Sequence, residues 1–569
     1  MAPSDDERSP LLQSRPSEEP EDPTKLPKGR RNAILVAVWL GVFLGALDGT
    51  IARASTTSSL TIKLTVFRPQ VATLISDVSS SFKKSNQAGL LGTSYLLSTA
   101  TFTPLYGRLA DIIGRRAALL IALALFTSGT ALCGFAPSMV SLLIGRLIAG
   151  MGGGGLMAVS SIVASDLIPL KQRALFQGLA NLFFGAGSGL GGPLGGFISD
   201  RYGWRTAFIG QLPVLLLATF LVFRNLRYRI PGQGKSKREM ARRIDYLGSL
   251  TLVISLGSLL FALSFKNDRS LPWSSPFVWA PLIAFVVATI AFVLVEAYYS
   301  PEPVMPLRLL KDRNGLFVAL ANFTVSFVSF SILYFYPQFF EIVKQKSASE
   351  AGAHLLPNSI ALSAGSLFAG FVIRKTGRYY WLIAITSAFP IFALTSFVFL
   401  DEKSGWFLSW LSILPSGFGF ASVITAGLIA LIASVDRSDM ATATGLTYLF
   451  RYVGQVVGVA CSASMLQAVL TSELKHRITG PGAAKTIDQI RHVATSIPSL
   501  PPAIQQAARD SYRYALRAVF LLNLGVAVAC FLTTLPIREY PLPGSFEEEE
   551  QHRRQRNSGT STPSGAAQA

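Results

Sequence analysis

The sequence predicts an all-α polytopic membrane protein with about fourteen spanning helices, and three observations lead there. Half of the 569 residues are hydrophobic and only 15% are charged. A soluble chain of this length would expose far more charge. The apolar residues lie in long blocks; 117–132 and 278–295, for example, contain no ionisable group. Finally, Lys and Arg gather in alternate connections between the blocks, the bias that orients membrane helices.

Taken in order, the apolar blocks and their charged borders place spans at 32–51, 88–106, 117–135, 139–164, 173–198, 207–223 and 247–265. The remaining spans are 277–298, 315–337, 353–373, 380–400, 406–433, 441–469 and 516–535. Arg108, Arg115 and Arg116 follow the second span, Lys171 and Arg173 the fourth, and the dense run Arg224–Arg243 the sixth. Arg308, Lys311 and Arg313 follow the eighth, and Arg374, Lys375 and Arg378 the tenth. All fall on one side, so both termini are expected in the cytoplasm. The opposite connections are weak in charge apart from Thr471–Arg513.

The net charge of +19, from 51 basic and 32 acidic residues, is therefore read as topology and not as a nucleic-acid surface. Cys133, Cys461 and Cys530 sit in apolar segments without metal-ligand spacing and are expected to be small buried hydrophobes. Residues 1–31 are polar, carry prolines and both charge signs, and read as a disordered cytoplasmic tail, not a signal peptide. Residues 536–569 read as a second such tail.

An internal repeat divides the chain. Gly107-Arg-Leu-Ala-Asp111-Ile-Ile-Gly114-Arg115-Arg116 follows the second span, and Gly370-Phe-Val-Ile-Arg374-Lys375-Thr-Gly377-Arg378 follows the tenth. Each has a glycine at a helix end, another seven residues on, then arginine. Duplicated six-helix halves with a solute site between them are a transporter architecture. The repeat gives a first half at 32–226, a basic cytoplasmic loop at 227–246, two linker helices at 247–298, a loop at 299–314 and a second half at 315–535. Within the second half, 471–515 is expected to be a long lumenal loop.

Three motifs carry a family resemblance. Gly107, Asp111, Gly114, Arg115 and Arg116 form a loop signature in which Asp111 pairs with Arg115 at i, i+4 and faces the positive end of a neighbouring helix, favouring one closed gate. In Leu143-Ile-Gly-Arg146-Leu-Ile-Ala-Gly150-Met-Gly152, Arg146 is a charge within an apolar helix. Such a charge faces the bundle interior with a partner, or else snorkels to the interface. Gly187, Gly191 and Gly195 recur every four residues beside Pro193, giving one bare helix face for close packing. Together these resemble the major facilitator superfamily, and within it the fourteen-helix drug:proton antiporters. Leu47-Asp48-Gly49-Thr50-Ile51, Gly92-Thr-Ser-Tyr95, Ala351-Gly-Ala-His-Leu-Leu-Pro357 and Phe450-Arg451-Tyr-Val-Gly454-Gln455 are similar to the fungal vacuolar basic amino acid transporters. The resemblance implies a major facilitator fold, a proton-linked Arg146, and an antiporter glycine motif in the fifth span.

Asp48 is the leading candidate for proton and substrate exchange, because an acid inside a membrane helix is a functional-site hypothesis by default. Its alternative place is the water interface. Arg451 is a second intramembrane charge, and Asn181, Gln211, Asn322 and Gln455 are polar groups for the cavity or for interhelical hydrogen bonds. Asp166, Asp245 and Glu296 fall at helix ends and read as interface markers. No GxxxxGK[ST] or HExxH motif occurs, so neither an enzyme, a cofactor nor a metal is implied. The partners implied are the lipid bilayer, a small solute and protons, with no nucleic acid.

The expected function is proton-coupled antiport of small cationic solutes, basic amino acids first, from cytosol into the vacuole. Multidrug or toxin efflux at the plasma membrane is the alternative, and a non-transporting nutrient sensor a more distant one. Residues 52–70 form an atypical polar insertion, with Arg53, Lys63 and Arg68, between Ile51 and the Val71 segment that would otherwise continue the first helix. It reads as a retained intron or misplaced exon boundary; finding these residues encoded in the dominant mature transcript would refute that. Glu7, Leu11 and Leu12 match an acidic dileucine signal for sorting adaptors, which favours a vacuolar or lysosomal membrane. Leu11→Ala/Leu12→Ala is expected to move a fluorescently tagged protein to the plasma membrane, and unchanged localisation would dismiss the signal.

Overall fold

The computed structural model describes residues 27–51, 88–226, 245–268, 274–300, 307–346, 348–436, 439–479, 483–492 and 500–542. The sorting motif at Glu7, Leu11 and Leu12, the insertion 52–70 and most of the basic loop 227–246 lie outside them. Among the described residues the architecture is helical throughout. We name the rods α1 (Lys28–Ile51), α2 (Ala88–Ile113), α3 (Arg115–Gly134), α4 (Met139–Leu167), α5 (Leu170–Tyr202), α6 (Trp204–Asn225) and α7 (Tyr246–Asp268). The rest are α8 (Pro276–Tyr299), α9 (Arg313–Val343), α10 (Glu350–Thr376), α11 (Tyr380–Val398), α12 (Trp406–Ser434), α13 (Met440–Arg477) and α14 (Pro502–Thr534). Eleven of these are long and apolar enough to cross a membrane; α2, α5 and α7 join them in the bundle.

Helices α6, α10, α11 and α12 each break once and resume with proline in the first turn of the new segment, at Pro213, Pro357, Pro390 and Pro415. Proline fits there because its missing N–H would have no intrahelical partner. Glycine sets the packing of the first half. A Cβ on Gly145 would meet Cys133 of α3, one on Gly150 would meet Tyr95 of α2, and one on Gly152 would meet Phe126 of α3. The bare face of α4 therefore brings its backbone against both neighbours. Gly187 does the same for α5 against Phe43 and Leu47 of α1. Gly191 and Gly195 are buried, and the helix runs unbroken past Pro193.

The two halves meet along two seams, α2 with α13 and α5 with α10. The hairpin α7–α8 leans on the first, where Leu252, Leu256 and Phe292 pack with Leu449 of α13 and Leu105 of α2. The sequence repeat is visible here in three dimensions. Gly107 lies against the Ala441 backbone across one seam, and Gly370 against Ala174 and Leu175 across the other. The second glycine of each repeat turns the chain with positive φ, 92° at Gly114 and 70° at Gly377, where a side chain would be strained.

Two boundaries are corrected. Most of 471–515 is helix, not loop: α13 runs on to Arg477, a short helix covers Ala483–His492, and α14 starts at Pro502. Leu470, Leu474, Ile490 and Tyr512 explain the ordering, because they bury in one cluster with Phe339 and Phe340 of α9. Nor is 536–542 a free tail. Arg538 N donates to Asn314 Oδ1 at 2.8 Å while Asn314 Nδ2 donates to the Arg538 carbonyl at 2.9 Å. Glu539 accepts from the Tyr379 N–H at 2.7 Å, and Ile537 and Leu542 are buried. Cys133 and Cys530 are buried, but Cys461 is exposed on α13. A thiol in a membrane helix need not be buried in protein, because hydrocarbon surroundings tolerate an apolar side chain.

Candidate functional site

Among the described residues, buried ion pairs form one cluster at the basic end of the bundle and another towards the opposite face. At the basic end, Arg115 Nη1 donates to Asp111 Oδ1 at 2.6 Å and Arg115 Nε to Asp166 Oδ2 at 2.9 Å. Asp166 is thus buried against the loop signature and not an interface marker. Its position near the end of α4 concealed this, since nothing in one sequence aligns it with the loop after α2. Asp111 also reaches the other half, accepting from Thr442 Oγ1 at 3.5 Å. Thr442 stands in the first turn of α13, whose N–H groups make that end positive. Arg116 is separate; it donates to the Phe223 carbonyl at 2.8 Å and lies over the Phe223 ring.

Further contacts join the halves above this latch. Asn181 Nδ2 of α5 donates to Ser366 Oγ of α10 at 2.8 Å and to Thr425 Oγ1 of α12 at 3.2 Å. Gly178 and Gly185 of α5 pack against Ser366 and Ser363 of α10. Polar contacts among the described residues therefore join the two halves at both seams.

The second cluster is an ion pair. Arg146 Nη1 of α4 donates to Asp48 Oδ2 of α1 at 2.6 Å, with side-chain exposures of 1% and 0%. The Arg146 guanidinium lies 4.3 Å from the centre of the Tyr95 ring of α2, and the Tyr95 hydroxyl donates to the Gly45 carbonyl of α1 at 3.0 Å. Three helices thus meet at one charge. Although α1 ends three residues beyond it, Asp48 is not at the water interface, and Arg146 does not snorkel. Asp48 Oδ1 is buried without a hydrogen-bond partner among the described residues. Tyr95 was legible only as part of a subfamily motif, because its role depends on facing Arg146 across two helices.

The other candidates are dispersed. Arg451 of α13 lies over the Tyr448 ring at 4.7 Å, and Gln455 is buried one turn further on. Asn322 of α9 donates to its own helix at Val318, leaving Oδ1 buried and unpartnered among the described residues. Gln211 likewise donates to Ala207 of its own helix at 3.0 Å. Neither amide is joined to the Asp48 pair by a described hydrogen bond.

Comparison with known proteins gives these residues a family setting. The model of the Major Facilitator Superfamily matches residues 38–459. The chain is 38% identical to "Multidrug resistance protein fnx1" of Schizosaccharomyces pombe, over 90% of this chain and 94% of that one. It is 32% identical to "Vacuolar basic amino acid transporter 1" of Saccharomyces cerevisiae, over 78% and 79%. Among solved structures, the human organic anion transporter MFSD10 superposes with a TM-score of 0.57 at 14% identity, covering 90% of this chain and all of that one. The proton:xylose symporter XylE superposes with a TM-score of 0.55 at 14% identity, covering 92% and 99%. At such identities these structures speak for the fold alone.

The latch yields a test. Arg115→Gln leaves Asp111 and Asp166 buried without their shared cation, a loss of about 3–5 kcal/mol for a broken buried pair. All three residues belong to the first half, so the effect on the joint runs through Asp111: without Arg115 it is expected to lose its contact with Thr442, read as a longer spin-label distance between the basic ends of α2 and α13. An unchanged distance would show that the ion pairs do not keep Asp111 against Thr442.

Proposed function

The chain belongs to the major facilitator superfamily and is a multi-pass membrane transporter of small solutes; from that premise we propose that it is a proton-coupled antiporter carrying small cationic solutes, basic amino acids above all, from the cytosol into the vacuole. The observation that carries the reading is the buried Asp48 carboxylate, one oxygen held by Arg146 and the other without a partner among the described residues. A proton on that oxygen neutralises Asp48 and weakens its hold on Arg146. A cationic solute there requires the carboxylate to be charged. The two occupants exclude each other, which is the elementary requirement for exchange through one site.

The surroundings fit that cycle. When Asp48 takes a proton, Arg146 keeps the face of Tyr95, an interaction worth about 2 kcal/mol when desolvated. The Asp111–Arg115–Asp166 network lies within the first half and holds Asp111 where it meets Thr442 of the second, and the repeat glycines let the halves close on each other. The vacuolar destination rests on the N-terminal sorting motif and on the name of the budding-yeast relative. Efflux of cationic drugs is the second reading, favoured by the name of the fission-yeast relative; it uses the same acid and differs in the solute.

The deciding experiment is ATP-dependent uptake of labelled lysine, arginine and histidine into isolated vacuolar vesicles. Uptake is expected to vanish with a protonophore and with Asp48→Asn, and to persist in part with Asp48→Glu. Gradient-driven uptake by Asp48→Asn at the wild-type rate would overturn the assignment of the proton site. Exclusion of all three amino acids, with uptake of a cationic dye, would select the efflux reading.

A further inference from the structure

We propose that Arg451 binds the α-carboxylate of the transported amino acid and so excludes cations that lack one. The inference rests on the transport reading above and adds to it the half of the solute that Asp48 does not hold. Arg451 lies eleven residues inside α13, about 16 Å along the axis from Met440. An arginine at that depth in a membrane helix is retained where it faces protein or a water-filled cavity.

The neighbours of α13 fix which way Arg451 faces. Tyr448 and Tyr452 pack into the apolar cluster of the first half, with Tyr95. Leu449 and Val453, about 100° and 140° round the helix from Tyr448, pack with the α7–α8 hairpin. Gly454, about 240° round, lies against Phe323 of α9. Arg451 at about 300° and Gln455 at about 340° fall between α9 and the first half, the side that looks into the space between the halves. Arg451 is half-buried there, although its position is deep in the bundle.

Its chemistry is that of an anion-binding group. Arg146 has Asp48 and Arg115 has two aspartates, but no described carboxylate pairs with Arg451, and its buried Nε has no hydrogen-bond partner among the described residues. The Tyr448 ring supports the flat face of the guanidinium at 4.7 Å, leaving the in-plane N–H groups to donate. That geometry accepts a carboxylate through two parallel hydrogen bonds, which a drug-like cation cannot provide. A cation without a carboxylate meets only the repulsion of Arg451.

Agmatine, which is arginine without its carboxylate, is the discriminating probe. Full-length protein in lipid nanodiscs would be loaded with labelled arginine and displaced with unlabelled arginine or agmatine. For the wild-type protein, agmatine is expected to compete at least about tenfold less well than arginine. Arg451→Gln is expected to weaken arginine to the agmatine level without weakening agmatine, measured directly with labelled agmatine, and Arg451→Lys to recover part of the difference. Retained agmatine binding is also the check that the variant is folded. Equal competition in the wild type overturns the inference, as does a parallel loss of both ligands in Arg451→Gln. Binding of neither ligand by the wild type overturns it together with the amino acid reading. Selective arginine binding combined with uptake that ignores the proton gradient would refute the coupling and leave the anchor standing.

Discussion

A charge placed in hydrocarbon must be matched by protein, and the ion pair between Asp48 and Arg146 is where that constraint shapes the first half. The desolvation of two buried ions is offset only by near-ideal geometry and additional contacts. Here it is met by a 2.6 Å hydrogen bond, an aromatic face and exclusion of solvent from both side chains. Those contacts need α1, α2 and α4 to approach closely. The glycines at 150 and 153 supply the approach, since a Cβ at either position would collide with Tyr95. Close packing and charge placement are therefore one requirement, and the glycines belong to the site as much as the charged residues do.

The same economy of backbone governs the joint between the halves. Gly107 against Ala441 and Gly370 against Ala174 are equivalent contacts in the two repeats, and each places nearly bare backbone at the joint between the halves. Such a surface has little side-chain interlock to break when the halves rock. What holds it shut is polar and local, the Asp111–Thr442 contact at one seam and the Asn181–Ser366 contact at the other. Surface pairs such as Arg477–Glu473 contribute far less, because solvent screens them.

The fold was legible in the sequence because lipid enforces it: spans are long and apolar, and charged connections alternate. The internal repeat was legible for the same local reason, as two glycines seven residues apart with arginine beyond. The pairing of Asp111 with Arg115 followed from helical spacing alone. Asp166 and Tyr95 were hidden, since each acquires its role from a partner on another helix, 51 residues away in each case. The helical stretches at 471–477, 483–492 and 502–515 and the anchoring of 536–542 were hidden too. These segments are polar by composition and are held by scattered apolar anchors and backbone hydrogen bonds that carry no periodic signal.

Asp48 and Arg451 together give the proposed cycle its charge logic. With neither proton nor solute present, Arg146 is the counter-ion of Asp48, so the empty site is electrically satisfied where it stands, and the return step of the exchange belongs to the protonated carrier. A proton replaces that counter-ion without adding bulk. A basic amino acid brings an ammonium for Asp48 and a carboxylate for Arg451, so each half of the protein gains one contact only when the solute spans the gap between them. Binding energy is then tied to closure of the halves around the solute. A cation that satisfies Asp48 alone leaves Arg451 uncompensated on the other side, and the halves have no reason to close.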